Sequence, residues 1–301
     1  WFNFMLHVLI LAAGLGTRLR PLTDSIPKPL VPVVDDSILA HQVRFVRSLG
    51  ESILHINAHY LASQIEKSAQ ELGFFKVWHE EELLGTGGPI RRLASNLDVD
   101  ELLLLNGDCY CSMDLLSFLE SARNSSSPVA LLGRDFSAVN TLLIRDSKLC
   151  GIANRFASQK ENARATFSGI SWYSREALRE IADSERDIRD FWQRLVEKGA
   201  PPAVLPMNEN SIWIDMGTPA GLFSAVKARL AELGQKNWID SEIKSKYSDI
   251  SFGNNVVVHT GAKLSSNIQL ENALIFSGAN LKTPGIYKNC IVGENFFWSL
   301  E

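Results

Sequence analysis

The residues best equipped for chemistry open the chain, in GLGTRLRPLTDSIPKPL at residues 14–30. An apolar run from Val8 to Ala13 falls into Gly14-Leu15-Gly16, Arg18 follows, and Lys28 stands ten residues beyond it, between Pro27 and Pro29. Glycines in such a turn let backbone N–H groups approach phosphate oxygens without a Cβ in the way. Arg18 adds a permanently charged, bidentate donor for phosphate. The two prolines stiffen the loop and hold the Lys28 ammonium in one place. Two glycines alone fit a dinucleotide, a triphosphate or a tight turn. A Walker A loop would end in Gly-Lys-Ser/Thr, but Gly16 is followed by Thr17-Arg18. The dinucleotide fingerprint needs a third glycine where Leu19 stands, and an acidic residue about twenty positions on, where Asp35-Asp36 precede a helix instead.

Other polar residues compete for attention. Asp108 follows the apolar run Glu101–Leu105, and Asp215 sits in a comparable apolar–Asp turn before Gly217. Each alone reads as a turn residue or helix N-cap, and they are too far apart in sequence for spacing to pair them. His55 and His59 have a metal-like separation only on a helix; ILHINAHYL reads as a strand, with no third ligand in view. His79-Glu80-Glu81-Glu82 reads as a solvated rim, and SERDIRDFWQRLVEKG as an amphipathic helix with Ile188, Phe191, Trp192 and Leu195 inward. Cys109 and Cys111 lack metal-knuckle spacing. With Cys150 and Cys290 they read as reduced thiols of a cytoplasmic protein.

The elements that must position these groups alternate between strand and helix. Strands are expected at Leu6–Ala13, Ile53–Asn57, Phe75–Trp78, Leu102–Leu105, Val129–Leu132, Thr141–Ile144, Phe167–Tyr173 and Ile212–Ile214. Helices are expected at Ile38–Leu49, Leu61–Leu72, Met113–Arg123, Ser174–Ala182, Ile188–Glu197 and Pro219–Leu233. Such alternation argues an α/β, three-layer Rossmann-like domain with a mixed, mostly parallel sheet, whose ligands gather at the carboxyl ends of strands. Beyond about residue 235 the helical period fades. Gly261-Ala262-Lys263-Leu264 recurs as Gly278-Ala279-Asn280-Leu281, and Asn272-Ala273-Leu274-Ile275 as Asn289-Cys290-Ile291-Val292, both offset by 17 residues. That is close to three hexapeptides, one coil of a left-handed β-helix. The expected division is therefore a domain over residues 1–237 and a short coil module over 238–301, the latter suited to packing or homo-oligomerisation.

The 301 residues, 46% hydrophobic and 21% charged with a formal net charge of −4, describe an ordinary globular protein with no basic footprint for nucleic acid. Any anionic ligand must meet positive charge focused locally. No apolar run approaches a membrane span. Trp1–Phe4 precede Met5 and the start lacks a basic n-region, so no signal peptide is expected.

Taken together, GLGTRLRPLTDSIPKPLVPV resembles the signature of sugar-1-phosphate nucleotidyltransferases, the pyrophosphorylases that make NDP-sugars. LLGTGGPIRRL (Leu83–Leu93) resembles that family's second glycine loop, LLNGDCY (Leu104–Tyr110) its metal-binding aspartate turn, FSGISWY (Phe167–Tyr173) its sugar-binding strand and WIDMGTP (Trp213–Pro219) its second metal-ligand motif. The resemblance implies a reaction of NTP with sugar 1-phosphate, giving NDP-sugar and pyrophosphate. It implies Arg18, Lys28 and Asp108 as catalytic residues, and Asp108 and Asp215 as ligands of Mg²⁺. It also implies that Ala12, Ala13, Gly14, Gly16, Thr17, Gly85, Gly87 and Gly88 face the nucleotide, and Asn106, Gly169 and Lys160 the sugar. Pro89 after Gly88 also fits the first position of a helix, so the second loop reads equally as a helix entry. Many relatives carry Glu-Lys-Pro before the sugar strand, with the lysine on the sugar phosphate. Here NRFASQKENARATFSGI has Lys160-Glu161 in altered order and no proline, leaving Lys160, Arg155 or Arg164 as substitutes.

The GTGG loop resembles that of family members acting as mannose- or heptose-1-phosphate guanylyltransferases, and this resemblance implies GTP as donor. A uridylyltransferase of N-acetylmuramate 1-phosphate is the alternative. A non-catalytic sugar-nucleotide sensor on the same fold is a competing class, and a dinucleotide-dependent dehydrogenase a weaker one.

Overall fold

The computed structural model describes residues 5–137, 139–247 and 249–300, so Trp1–Phe4 lie outside it. By packing, the chain divides into two compact units. The first holds the described residues up to Gly14 together with Gln42–Gly107 and Cys111–Trp213; the second holds Leu15–His41, Asp108–Tyr110 and the chain from Ile214 on.

The first unit is built on one long sheet. Its strand order is Phe156–Ala157, Lys148–Ile152, Ala203–Pro206, Val129–Arg134, Ala163–Ser174, Glu101–Asn106, Leu6–Leu11, Ile53–Ala58 and Lys76–His79, with Leu142–Arg145 paired to two of them off this path. Ala163–Ser174 and Lys148–Ile152 run against the rest; all other strands share one direction. The sheet is mixed, as expected, but of its described pairings six are antiparallel and four parallel, because the two reversed strands lie inside it rather than at its edge. Successive residues Val8, Leu9 and Ile10 are all fully buried, as are Leu102 and Leu103, so both faces of the central strands are covered. One face packs Leu9, Leu102 and Leu104 against Ile90 and Leu93 from the helix Gly87–Asn96 and against Phe191 and Trp192 from the helix Ile188–Glu197.

The parallel pairing of Leu6–Leu11 with Glu101–Asn106 sets Leu11 opposite Asn106. Both strands therefore deliver their following residues to the same carboxyl edge. The first strand stops at Leu11 rather than Ala13 because the Ala12 N–H leaves the ladder for the Asn57 side chain, 2.6 Å away. Ala163–Ser174 is longer than expected and changes register between Phe167 and Ser171, where Gly169 adopts φ +84°.

The second unit contains the helix Pro219–Glu232, capped by Thr218 Oγ1 accepting from Gly221 N at 3.1 Å, with Pro219 at its first position. From Asn237 on, the unit is a stack of parallel strands. Val256 pairs with Ala273 and Ala273 with Cys290, so the 17-residue echo is the coil register itself. Inward Val256, Val258, Ala273, Ile275 and Cys290 form the core of the stack. Asn255, Asn272 and Asn289 all take positive φ at one corner. Their amides form a ladder, with Asn255 Nδ2 donating to Asn272 Oδ1 at 2.8 Å and Asn272 Nδ2 to Asn289 Oδ1 at 3.2 Å. Asparagine tolerates the left-handed conformation that such a corner needs. Phe297–Ser299 ends the stack by pairing antiparallel to Cys290–Val292.

Candidate active site

In the second unit the chain turns tightly at Gly16. Gly16 has φ +64°, and a Cβ there would press on Thr23 Cγ2 at 3.1 Å. The buried Thr23 hydroxyl donates to the Gly16 carbonyl at 2.8 Å and locks the turn. Pro27 and Pro29 are buried on either side of Lys28, which opens the short helical turn Lys28–Leu30. Braced in this way, Lys28 Nζ meets Asp108 Oδ2 at 2.7 Å, with the lysine side chain 11% exposed and the aspartate 32%. Charge-assisted hydrogen bonds of this length are among the stronger polar contacts.

Asp215 is brought to Asp108 by the backbone: Met216 N–H donates to the Asp108 carbonyl at 3.0 Å. One Asp215 oxygen, Oδ1, accepts from Gly217 N at 2.7 Å. Two glycines permit this packing. A Cβ on Gly221 would collide with the Asp215 carbonyl, and one on Gly217 with the Arg18 guanidinium, so Arg18 lies over the turn that carries Asp215. Arg18, Lys28, Asp108 and Asp215, scattered through the sequence, thus belong to one unit. The hard carboxylate oxygens of Asp108 and Asp215 suit a divalent metal ion. No cluster of three or more acidic, histidine or cysteine ligands occurs among the described residues. Behind the site, Arg229 forks onto Asp35 at 2.8 and 2.7 Å, and that pairing holds the Asp35 carboxyl below its ordinary range.

In the first unit a pocket of about 460 Å³ is lined by Asn106, Thr86, Phe167 and Trp192 among others. Gly169 gives Asn106 its place, since a Cβ at that glycine would lie 2.9 Å from the Asn106 amide. The second glycine loop is shaped by the chain's own backbone. A Cβ on Gly85 would strike the Arg186 carbonyl, and one on Gly87 the Glu185 carbonyl. Gly87 N–H donates to Arg186 O at 2.8 Å, and Thr86 Oγ1 accepts from Ile188 N at 3.0 Å. Pro89 falls on the third residue of the helix Gly87–Asn96 rather than its first, which a helix tolerates because its first N–H groups need no intrahelical acceptor.

One functional support was invisible in the sequence. Glu80 lies buried, not on a solvated rim: its Oε1 accepts from Asn57 Nδ2 at 2.7 Å and its Oε2 from Leu84 N at 2.9 Å. Asn57 Oδ1 in turn accepts from Ala12 N. A single buried chain of hydrogen bonds therefore ties the start of the first glycine loop to the start of the second. His55 is fully buried and bonded to His7, Nε2 to Nδ1 at 2.9 Å, while His59 Nδ1 bonds to the Glu80 carbonyl; the two histidines serve separate structural contacts. Of the expected sugar-phosphate cations, Arg155 pairs with Asp187 and Asp190, Arg164 with Glu161, and Lys160 lies outside the pocket lining. No disulfide joins the four cysteines. No helix among the described residues is long and apolar enough to cross a membrane.

Residues 7–136 match the family model described as Nucleotidyl transferase. The chain thus carries a nucleotidyl transferase domain, an enzymatic one, over those residues. It is 26% identical to a mannose-1-phosphate guanyltransferase of Gibberella zeae, over 95% of this chain and 86% of that protein. It is 27% identical to mannose-1-phosphate guanyltransferase beta-A of Xenopus laevis, over 87% of this chain and 74% of that protein. Among solved structures it matches HddC from Yersinia pseudotuberculosis with a TM-score of 0.61 at 24% identity, covering 75% of this chain and 100% of that one. The same protein complexed with GMP-PN matches with a TM-score of 0.59 at 25% identity, over 75% of this chain and 100% of that one.

Proposed function

We propose that the protein joins a nucleoside triphosphate to a sugar 1-phosphate, giving an NDP-sugar and pyrophosphate, with GTP as donor and mannose or heptose 1-phosphate as acceptor. The observation that carries this reading is the cluster in the second unit: Lys28 braced onto Asp108, Asp215 one backbone hydrogen bond away, and Arg18 over the Asp215 turn. The guanine and the mannose are supported by the names of the relatives and by the GMP-PN complex of HddC.

An acceptor phosphate oxygen attacks the α-phosphorus, and the bond from that phosphorus to the bridging oxygen breaks as pyrophosphate leaves. A phosphate monoester has its second pKa at about 6, so the nucleophile is ionised at neutral pH and no protein base is required. What the protein must supply is positioning and positive charge. Arg18 and Lys28 provide the fixed cations, the glycine turn its backbone N–H groups, and Asp108 and Asp215 the oxygen donors for Mg²⁺. Mg²⁺, when bound, supplies charge neutralisation on the phosphate oxygens. Gly85, Gly87 and Gly88 are assigned to the nucleotide and Asn106 and Gly169 to the sugar. Residues 1–237 form the catalytic domain in this reading, and 238–301 a coil module through which copies associate in the cytoplasm. Exposed Ile286 and Phe297 on the last coil support that association.

A pyrophosphate-release screen of four NTPs against hexose and heptose 1-phosphates tests the proposal. GTP with mannose or heptose 1-phosphate is expected to turn over fastest. Turnover of UTP with N-acetylmuramate 1-phosphate instead would overturn the substrate assignment. Nucleotide binding without pyrophosphate release from any pair would overturn the reaction.

A further inference from the structure

The pocket of the first unit poses a charge problem. Leu11, Leu104, Phe167 and Trp192 make much of its wall apolar, yet Arg186, Asp187 and Arg189 line one side. Asp187 is not available to a ligand. Its Oδ1 accepts from Arg189 N at 3.0 Å and Arg189 Nε at 2.9 Å; its Oδ2 accepts from Arg189 Nη2 at 2.6 Å and Arg155 Nη1 at 3.2 Å. A carboxylate offers about four lone-pair directions, and these donors occupy them. Asp187 is thus committed to orienting Arg189, and Arg155, tied also to Asp190, fixes Asp187 in turn.

Arg189 is differently placed. A guanidinium has five N–H donors, and Asp187 engages only the edge formed by Nε and Nη2. Its Nη1 edge donates to no described group, and the side chain is 52% exposed. Among the lining residues Arg186 and Arg189 outnumber Asp187, which Arg155 also engages from outside the lining, a local positive excess in a protein of net charge −4. A pinned guanidinium with a spare donor edge, in a pocket also lined by apolar side chains and Asn106, suits a ligand with an anionic group, an apolar ring face and hydroxyls. A sugar bearing a phosphate monoester has all three.

We infer that Arg189 is the cation that receives the phosphate of the sugar 1-phosphate, in place of Lys160, Arg155 or Arg164. Asp187 acts as its positioning residue. This inference rests on the reaction proposed above. It places the specificity for an anionic acceptor at the start of the helix Ile188–Glu197 rather than before the strand Ala163–Ser174.

The test compares wild-type enzyme with R189Q and R189K in steady-state pyrophosphate release, varying acceptor and NTP separately. R189Q should raise the acceptor KM about ten- to a hundredfold, the loss expected of a charge-assisted contact, and leave the NTP KM within about twofold. R189K, a point charge without the fork, should recover part of the loss. Calorimetric titration with the same sugar 1-phosphate, with no NTP present, should show binding to wild type weakened in R189Q by the same factor. An unchanged acceptor KM in an R189Q protein that melts like wild type would overturn the inference, as would an equal rise in both KM values. A wild-type enzyme inactive with every substrate pair would overturn the reaction instead, and the calorimetric arm would still decide whether Arg189 binds a sugar phosphate.

Discussion

The buried chain Ala12–Asn57–Glu80–Leu84 makes a prediction that depends on hydrogen-bond polarity. Glu80 is an acceptor at both oxygens, toward Asn57 Nδ2 at 2.7 Å and Leu84 N at 2.9 Å. In Glu80→Gln the shape survives, but one of the two donors now faces an amide N–H₂. That loses one charge-assisted bond, worth about 1.5–3 kcal/mol, and leaves a buried donor unpaired at about 1–3 kcal/mol. Relaxation and water will return part of this, so a destabilisation of about 2–4 kcal/mol is expected. Asn57→Asp alone puts two acceptors face to face and should cost as much. The pair Asn57→Asp with Glu80→Gln restores the pattern: the introduced carboxylate accepts from Ala12 N and from the introduced amide, whose own oxygen accepts from Leu84 N. Urea unfolding of the four proteins as a double-mutant cycle should give a favourable coupling of at least about 1.5 kcal/mol, within the range for residues in one network. The swap should also recover most of the NTP KM lost in either single variant. Additive effects, or a Glu80→Gln protein as stable as wild type, would refute the polarity assigned to the chain and its role in holding the two loops.

Other outcomes follow from the same geometry. Lys28→Ala and Asp108→Asn should each lower kcat by about 10²–10³, the scale of losing a fixed charge at a transferring group, with circular dichroism unchanged; near-normal turnover in either would discard the cluster. Gly85→Ala forces a side chain into φ +75° and into the Arg186 carbonyl, so it should cost at least about 1–2 kcal/mol, whereas Gly14→Ala, with nothing within 4 Å of its new Cβ, should stay within about 0.5 kcal/mol of wild type and raise the NTP KM instead. Burial, with neighbouring His7 and Lys76, lowers the His55 pKa to about 3. The unfolded chain therefore binds a proton that the folded one refuses below about pH 6.5; stability is full above that value and falls by about 2 kcal/mol by pH 5 on account of His55 alone. Urea midpoints measured from pH 7.5 to 5 should show this slope in wild type and a shallower one in His55→Gln, and a flat wild-type profile would remove the histidine from the account.

The strands were legible where burial on both faces writes a continuous apolar run, as in Leu6–Leu11 and Glu101–Asn106. Lys148–Ile152 and Ala203–Pro206 were not, being short and broken by Gly151 and by the flanking prolines Pro201, Pro202 and Pro206. The helix Gly87–Asn96 was legible only as an entry at Pro89, because two glycines and a proline open it, residues that argue against a helix interior yet are harmless in its first turn. In the site, the cations and glycines of the first loop announced themselves by type, but Glu80 could not. It is one of three consecutive glutamates, and only the approach of Asn57 and Leu84 selects it for the interior. The 17-residue echo of the coils was legible because each rung repeats the same inward residues and the same corner asparagine.

The two glycine loops separate two uses of one residue type. Gly85 and Gly87 lack side chains because Arg186 and Glu185 carbonyl oxygens occupy the space a Cβ would need. Gly16 is claimed partly by Thr23 and partly by its own positive φ. Gly14 is claimed by nothing in the protein: its φ is not positive and the space above it is open. A glycine that the chain's own packing does not demand is the one whose missing side chain is left for a ligand to exploit. By that criterion the first loop, not the GTGG loop, carries the stronger structural mark of phosphate approach. The glycines of GTGG, taken in the sequence as a mark of the base, are then accounted for by packing, so the guanine assignment leans on the relatives and on the substrate screen rather than on that motif.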